Sequence, residues 1–298
     1  MSAAVRAELM SPDLLAQLER VQLRTRRRLA GRFAGEHRSP DFGTSVDFAD
    51  YREYHPGDDF RRIDYPLYAR TGNLFIRLFE AEDDVTVRIM LDRSASMGMH
   101  GKLDQAVRMA AAIGFVALIR RDTVIVHTLP PTTPGSTTAA PRRFSGRHAT
   151  QPLFDMLGGI EAAGPTDLIS ASQDVLTRQR RGGVTVLVSD LLTDGWSTAV
   201  DRLAASGSDV NVLHVLATEE LHPDHQGDLD MIDVETGATV PTSLSPATLR
   251  EYSGYVTAWL TETSSHCRAR GASYQQVLAD APPEGVLLRA WREHGLVR

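Results

Sequence analysis

From about residue 84 onward, apolar stretches of two lengths alternate along the chain. Residues 85–91, 123–128, 184–189 and 210–216 are short, nearly unbroken apolar runs rich in Val, Ile and Leu, which predicts strands buried on both faces. Between them, residues 103–120, 152–162, 167–179 and 198–205 place apolar side chains at helical spacing. Strand, helix and strand in repetition predict βαβ units. The fold class read from this is α/β, a doubly wound, mostly parallel sheet with helices on both faces.

The surrounding text is different. Residues 129–150 are loaded with Pro, Thr, Ser and Gly and predict a surface excursion within the α/β domain, because the alternation resumes beyond them. Residues 231–240 predict a hairpin turning at Thr236-Gly237, followed by a long helix over 246–270, a short strand over 273–278 and a closing helix after Pro283. Residues 31–83 read as an irregular segment rich in Arg, Asp, Tyr and Gly. Ahead of it, Ser11-Pro12 predicts a helix start, with Leu14, Leu15, Leu18 and Val21 on one face and Arg20, Arg24, Arg26, Arg27 and Arg28 forming a basic one. Three parts follow: a basic amphipathic helix over 1–30, the Arg/Asp-rich segment over 31–83, and the α/β domain over 84–298.

Composition narrows the class without naming a function. With 42% hydrophobic and 23% charged residues in 298, the chain can bury a sizeable core, so global disorder is excluded. A net charge of −6 gives no general attraction to nucleic acid or anionic membrane. The single cysteine, Cys267, cannot make an intrachain disulfide or a thiolate metal cage, which suits a reducing compartment. The apolar run over 109–119 falls short of the roughly 18 residues a membrane span needs, and Arg6 and Glu8 interrupt any leader-like start. A cytoplasmic location is expected.

Chemistry is to be sought in loops leaving the carboxyl ends of strands, where open α/β sheets bind ligands. The first such loop holds Asp92, Ser94 and Ser96, three small oxygen donors with one formal charge. Thr166 opens a later helix and Asp190 closes a later strand. Oxygen donors alone suit a hard cation, Mg²⁺ or Mn²⁺, and five side chains leave a position in an octahedral shell free for a partner's Glu or Asp. The plain alternative is that Asp92, Ser94 and Ser96 cap the helix beginning near Lys102. Two enzyme motifs come close to this stretch. The run Gly98-Met-His-Gly101-Lys102-Leu103 has too short a glycine spacing for a phosphate loop and lacks its Ser or Thr. Ser94 or Ser96 could act as a hydrolase nucleophile with a late histidine such as His214, His222, His225, His266 or His294, but the turn is one glycine short of the usual elbow.

Elsewhere, alternating opposite charges over Arg52, Asp58, Asp59, Arg62, Asp64 and Arg70 predict a structural ion-pair network. His222-Pro-Asp-His225 after Glu219 and Glu220 reads as a solvated loop rather than a metal site.

Asp-x-Ser-x-Ser after the first strand, Gly-Pro-Thr before a helix and an Asp ending a later strand resemble the metal-ion-dependent adhesion site of von Willebrand factor A domains. That resemblance implies metal contact by Ser94, Ser96 and Thr166, and contact direct or through water by Asp92 and Asp190, with Asp194 in Thr-Asp-Gly as the alternative last ligand. The stretch Tyr51-Arg-Glu-Tyr-His-Pro-Gly-Asp-Asp-Phe-Arg-Arg-Ile-Asp64 and the following Ala-Arg-Thr-Gly are similar to the bacterial family called domain of unknown function 58, with Tyr65 where that family usually has Trp. The resemblance implies a non-enzymatic, metal-dependent protein-interaction module working with a MoxR-type AAA+ ATPase in chaperone-like complex assembly. A metal-independent structural subunit, using the basic helix and the Arg/Asp-rich segment, is the third possibility.

Overall fold

The computed structural model describes residues 10–19, 48–55, 58, 60–79, 85–129, 141–177, 182–234 and 237–282. Two compact units divide the chain, one of residues 29–84 and one of residues 1–28 with 85–298.

The larger unit is built on a six-stranded sheet. Its strands are β3 (Thr86–Asp92), β4 (Thr123–Leu129), β5 (Arg142–Ser145), β6 (Val184–Ser189), β7 (Asp209–Leu216) and β10 (Ser273–Leu278), in the spatial order β10-β7-β6-β3-β4-β5. Every neighbouring pair is parallel except β4 with β5. The apolar runs behave as their composition dictates: all six residues of β6 are buried, because both faces of the sheet are covered. Ile89 and Leu91, with Val186 and Val188, pack against α1 (Pro12–Leu18), α3 (Lys102–Ile119) and α4 (Thr150–Leu157). Met90 and Leu187 face the other way, toward α5 (Leu168–Thr177), α6 (Trp196–Ala205) and α8 (Pro246–Ala269). Alternate strand residues thus feed two cores, the architecture expected from the periodicity.

Helix α3 is buried on nearly all sides, with Ala110, Ala111, Ala112 and Ala117 at zero exposure. Small side chains let sheet and helices approach it from several directions, which is why its sequence is apolar all round instead of striped. The strand order places β3 first in the chain yet central in the sheet. The chain steps from β3 to β4 on one side and later returns to β6 on the other, so the carboxyl ends of β3 and β6 meet at a topological switch point.

Several expectations are corrected. The excursion over 129–150 is not all surface loop: residues 142–145 form β5, pairing Phe144 with Val124, and α4 already begins at Thr150. Phe144 is buried, which gives the strand its reason to return to the sheet. The hairpin is longer than the apolar pattern suggested, with β8 (Gly227–Ile232) pairing antiparallel with β9 (Thr239–Leu244) as a separate sheet. Polar residues such as Asp228, Asp230 and Ser243 disguised its outer half. The closing helix after Pro283 and the arginines from Arg20 to Arg28 lie outside the described residues. Helix α1 does not stand apart from the α/β domain. Ser11 caps it by accepting from Leu14 N at 3.2 Å, and its Leu14 and Leu18 are buried in the core that contains α3. Leu18→Ala is therefore expected to cost about 2–5 kcal/mol, read as a lower urea midpoint with an unchanged slope.

The smaller unit is more ordered than its irregular text suggested. β1 (Phe48–Glu53) pairs antiparallel with β2 (Phe75–Phe79), and α2 (Tyr65–Thr71) lies between them in sequence. Asp64 caps α2, accepting from Leu67 N at 2.9 Å, and Gly72 ends it in the left-handed region at φ 74°. Of the expected ion-pair network, Arg52 and Asp58 meet at 2.8 Å. A bond from the His55 amide and then the Arg52 guanidinium hold the Asp58 carboxyl below its ordinary range. Asp64, besides capping α2, accepts from the Tyr51 hydroxyl at 2.9 Å. Arg70 sits exposed in the last turn of α2, and Asp59 and the Arg62 side chain lie outside the described residues.

Candidate functional site

Asp92 is the last residue of β3, 1% exposed, at the switch point. The loop after it turns through a 3-10 segment over Ser96–Gly98, and Gly101 takes φ 74° just before α3. A Cβ on Gly98 would lie 2.8 Å from the Cβ of Ala162, so this glycine allows the loop to press against the segment leading to Thr166. Two backbone bonds join those segments, Ala95 N to Gly164 O at 2.9 Å and Ala163 N to Arg93 O at 2.8 Å. The Arg93 guanidinium adds a bond to the Glu161 carbonyl. This stitching carries Thr166 to Asp92 across 74 residues of sequence.

Three donors converge on the Asp92 carboxylate. Oδ1 accepts from Thr166 Oγ1 at 2.7 Å and from Ser94 N at 2.9 Å, and Oδ2 accepts from Ser189 Oγ at 2.5 Å. Ser94 and Ser96 hold their hydroxyl oxygens 3.0 Å apart. Burial, and next the charge of Asp190, push the Asp92 carboxyl above its ordinary range, while the bonds from Ser189, Thr166 and Ser94 pull it back. A buried carboxylate with so little cationic compensation at its own oxygens is a place where an external cation would be welcome.

Asp190 directly follows β6, 2% exposed, beside Ser189. Its Oδ1 accepts from Leu192 N at 3.2 Å, and its Oδ2 faces the Lys102 ammonium at 2.8 Å. Lys102 itself has zero exposure, and its ammonium also meets Glu220 Oε1 at 2.5 Å. Burial alone would lower the Lys102 pKa, but the charges and hydrogen bonds of Asp190 and Glu220 outweigh it and the net direction is upward. Leu191, next in the chain, is fully buried with φ 54°, a left-handed conformation that costs a leucine on the order of 1–2 kcal/mol. Ser189 Oγ accepts from its amide at 3.0 Å and holds it there. Behind Asp190, the buried His214 ring bonds the Asp190 carbonyl at 2.9 Å and the Tyr274 hydroxyl at 2.8 Å, and stacks edge-on to Trp259. Burial depresses the His214 pKa to about 4 and raises that of Tyr274 to about 12.

Of the five residues expected from the sequence, the structure therefore joins Asp92 to Thr166 directly, Ser94 to Ser96 directly, and Asp92 to Asp190 through Ser189 and the charge between them. Asp194, the alternative last ligand, is exposed, whereas Asp190 is buried at the strand end. The donor set fits a hard cation. In an octahedron with metal–oxygen distances of about 2.0–2.1 Å, adjacent ligands stand roughly 3 Å apart, the spacing of the two serine hydroxyls. Among the described residues no group of three or more His, Cys, Asp or Glu lies together as a metal cage, so hydroxyls would supply most of the shell. The plain capping reading does not hold: no side chain caps α3, whose N-cap is Gly101. Of the histidines named for the hydrolase reading, His214 is engaged as above, His266 bonds Asp201 at 2.7 Å, and His294 lies outside the described residues. His222 and His225 lie in a loop, with His225 mostly exposed beside Asp224.

Sequence reasoning gave Ser189, Lys102, Glu220 and His214 no place at this site. Each carried a faint signal: a hydroxyl closing an apolar strand, a lysine opening an apolar helix, an acid just beyond a strand end, and a histidine within one.

A model of the family described as Protein of unknown function DUF58 matches residues 50–259. Uncharacterized proteins Rv1480 of Mycobacterium tuberculosis and Mb1516 of Mycobacterium bovis are each 27% identical over 292 residues, covering 93% of this chain and 88% of theirs. Among solved structures, BatB of Bacteroides thetaiotaomicron aligns over 70% of this chain and 96% of its own, at 16% identity and TM-score 0.40. A von Willebrand factor type A protein of Catenulispora acidiphila aligns over 74% and 43%, at 14% identity and TM-score 0.38. No helix among the described residues is long and apolar enough to cross a membrane.

Proposed function

Since the chain belongs to the DUF58 family of proteins of unknown function, we propose that it is a non-enzymatic, divalent-metal-dependent protein-interaction module with a von Willebrand A-like α/β fold. Asp92, Ser94, Ser96 and Thr166 would hold Mg²⁺ or Mn²⁺ at the carboxyl edge of the sheet, with Asp190 beside them. The ion would supply a Lewis-acidic contact for a carboxylate from another protein. This chain's own residues fix the donors: Ser189 and Ser94 N orient the Asp92 carboxylate, and the stitched loops deliver Thr166. The observation that carries the reading is the convergence of Thr166, Ser94 and Ser189 on one buried carboxylate at the switch point.

The partner class implied by the family resemblance is a MoxR-type AAA+ ATPase. Purified ATPase should be retained by the immobilised full chain in Mg²⁺ and released by EDTA, with retention restored by added Mn²⁺. Equal retention with and without chelator would remove the metal from the reading. Labelling of Ser94 or Ser96 by a fluorophosphonate, indifferent to chelator, would replace it with a hydrolase.

A further inference from the structure

Lys102 presents a problem that packing does not solve. It is the first residue of α3, where the free backbone amides already carry partial positive charge, and it is completely buried. An ammonium placed there is held by Asp190 Oδ2 at 2.8 Å and Glu220 Oε1 at 2.5 Å. Taking the ammonium and the Asp190 carboxylate out of water is costly, so an apolar side chain would fill the same space with less penalty. The arrangement joins the segments that follow β3, β6 and β7, and it sets a fixed positive charge on Asp190, whose own charge reaches Asp92.

Glu220 differs from Asp190 in a way that matters. Its side chain is 24% exposed, at the rim, and its Oε2 is anchored by the Ala217 amide at 2.9 Å. It can keep a partner on the ammonium when Asp190 turns toward something else. A divalent ion beside Asp92 and an ammonium on Asp190 are like charges sharing one anion, and each must weaken the hold of the other.

Resting on the metal-site reading above, we infer that Lys102 is an intramolecular counter-ion that competes with the divalent ion for Asp190, and that Glu220 sets ion affinity by drawing the ammonium away. Lys102 is thus a positioning residue: it holds Asp190 out of the ion's shell in the metal-free chain. Weak intrinsic binding follows, and occupancy then depends on the extra carboxylate that a docking protein contributes.

The test is a Mn²⁺ titration of the full chain, with free ion followed by electron paramagnetic resonance and thermal melting run alongside to confirm folding. Lys102→Met should tighten Mn²⁺ binding by about tenfold. Glu220→Gln should loosen it by about threefold or more, because the ammonium then rests on Asp190, while Glu219→Gln, an equal charge change at an exposed neighbour, should stay within about twofold. Opposite shifts for Lys102→Met and Glu220→Gln support the inference, since a merely structural ion pair would lower melting temperature without splitting the affinities. If Lys102→Met fails to fold, a loosening by Glu220→Gln that Glu219→Gln does not share supports it, and equal effects overturn it. If the native chain binds Mn²⁺ and neither variant shifts, or both shift alike, the counter-ion role is wrong and the metal site stands. Absence of Mn²⁺ binding in the native chain and in every variant overturns the site and the inference together.

Discussion

Asp92→Ala is expected to reduce Mn²⁺ affinity by at least about a hundredfold, beyond the range of a practical titration, while the chain still folds. Asp92 is the one formally charged group among the four side chains proposed to hold the ion, and neutral hydroxyls alone compete poorly with water for a hard cation. The same substitution deletes the acceptor on which Thr166, Ser94 and Ser189 converge. Thr166→Val makes a graded companion, since it removes one neutral oxygen and leaves the carboxylate, and should weaken binding by about tenfold. Calorimetric or spin-resonance titration of both variants against the native chain checks the order. Near-native affinity in Asp92→Ala would mean that the ion is held elsewhere.

The second large effect is on stability and follows from His214. Its pKa is depressed from 6.5 to about 4 because the ring is buried against Trp259 and Tyr274. Below pH 6.5 the unfolded chain takes up a proton that the folded chain refuses, so folding weakens as pH falls and the loss levels off below about pH 4. At about 1.4 kcal/mol per pH unit the contribution is on the order of 3 kcal/mol. Asp92 acts in the opposite sense. Its raised pKa favours protonation in the folded chain, which adds stability as pH falls. The His214 contribution is therefore isolated by comparison: urea unfolding of the native chain and of His214→Gln at pH 6.5, 5.5 and 4.5 should converge as the medium acidifies. Parallel stability curves would show that His214 is not the group responsible.

The strands β3, β4, β6 and β7 and the helices between them were legible because burial on both sides forces apolar runs of strand length, as over Val184 to Ser189. The edge strand β5 was hidden, since it buries Phe144 and exposes Arg142, Arg143 and Ser145, so its pattern is too thin to rise above a Pro- and Thr-rich loop. At the site, Asp92, Ser94, Ser96 and Thr166 were legible as oxygen donors at loop starts. What they touch was not. That Asp190 faces an ammonium depends on Lys102 and Glu220 arriving from 88 residues before and 30 after, a meeting fixed by strand order rather than by local pattern.

The backbone stitching between Ala95 and Gly164, and between Arg93 and Ala163, also has a mechanical side. Traction applied at the ion by a docked protein would enter β3, which is clamped by parallel ladders to β4 and β6 along its length. Such a load would run along the strands and be shared by many ladder bonds at once, because β3 is paired on both sides.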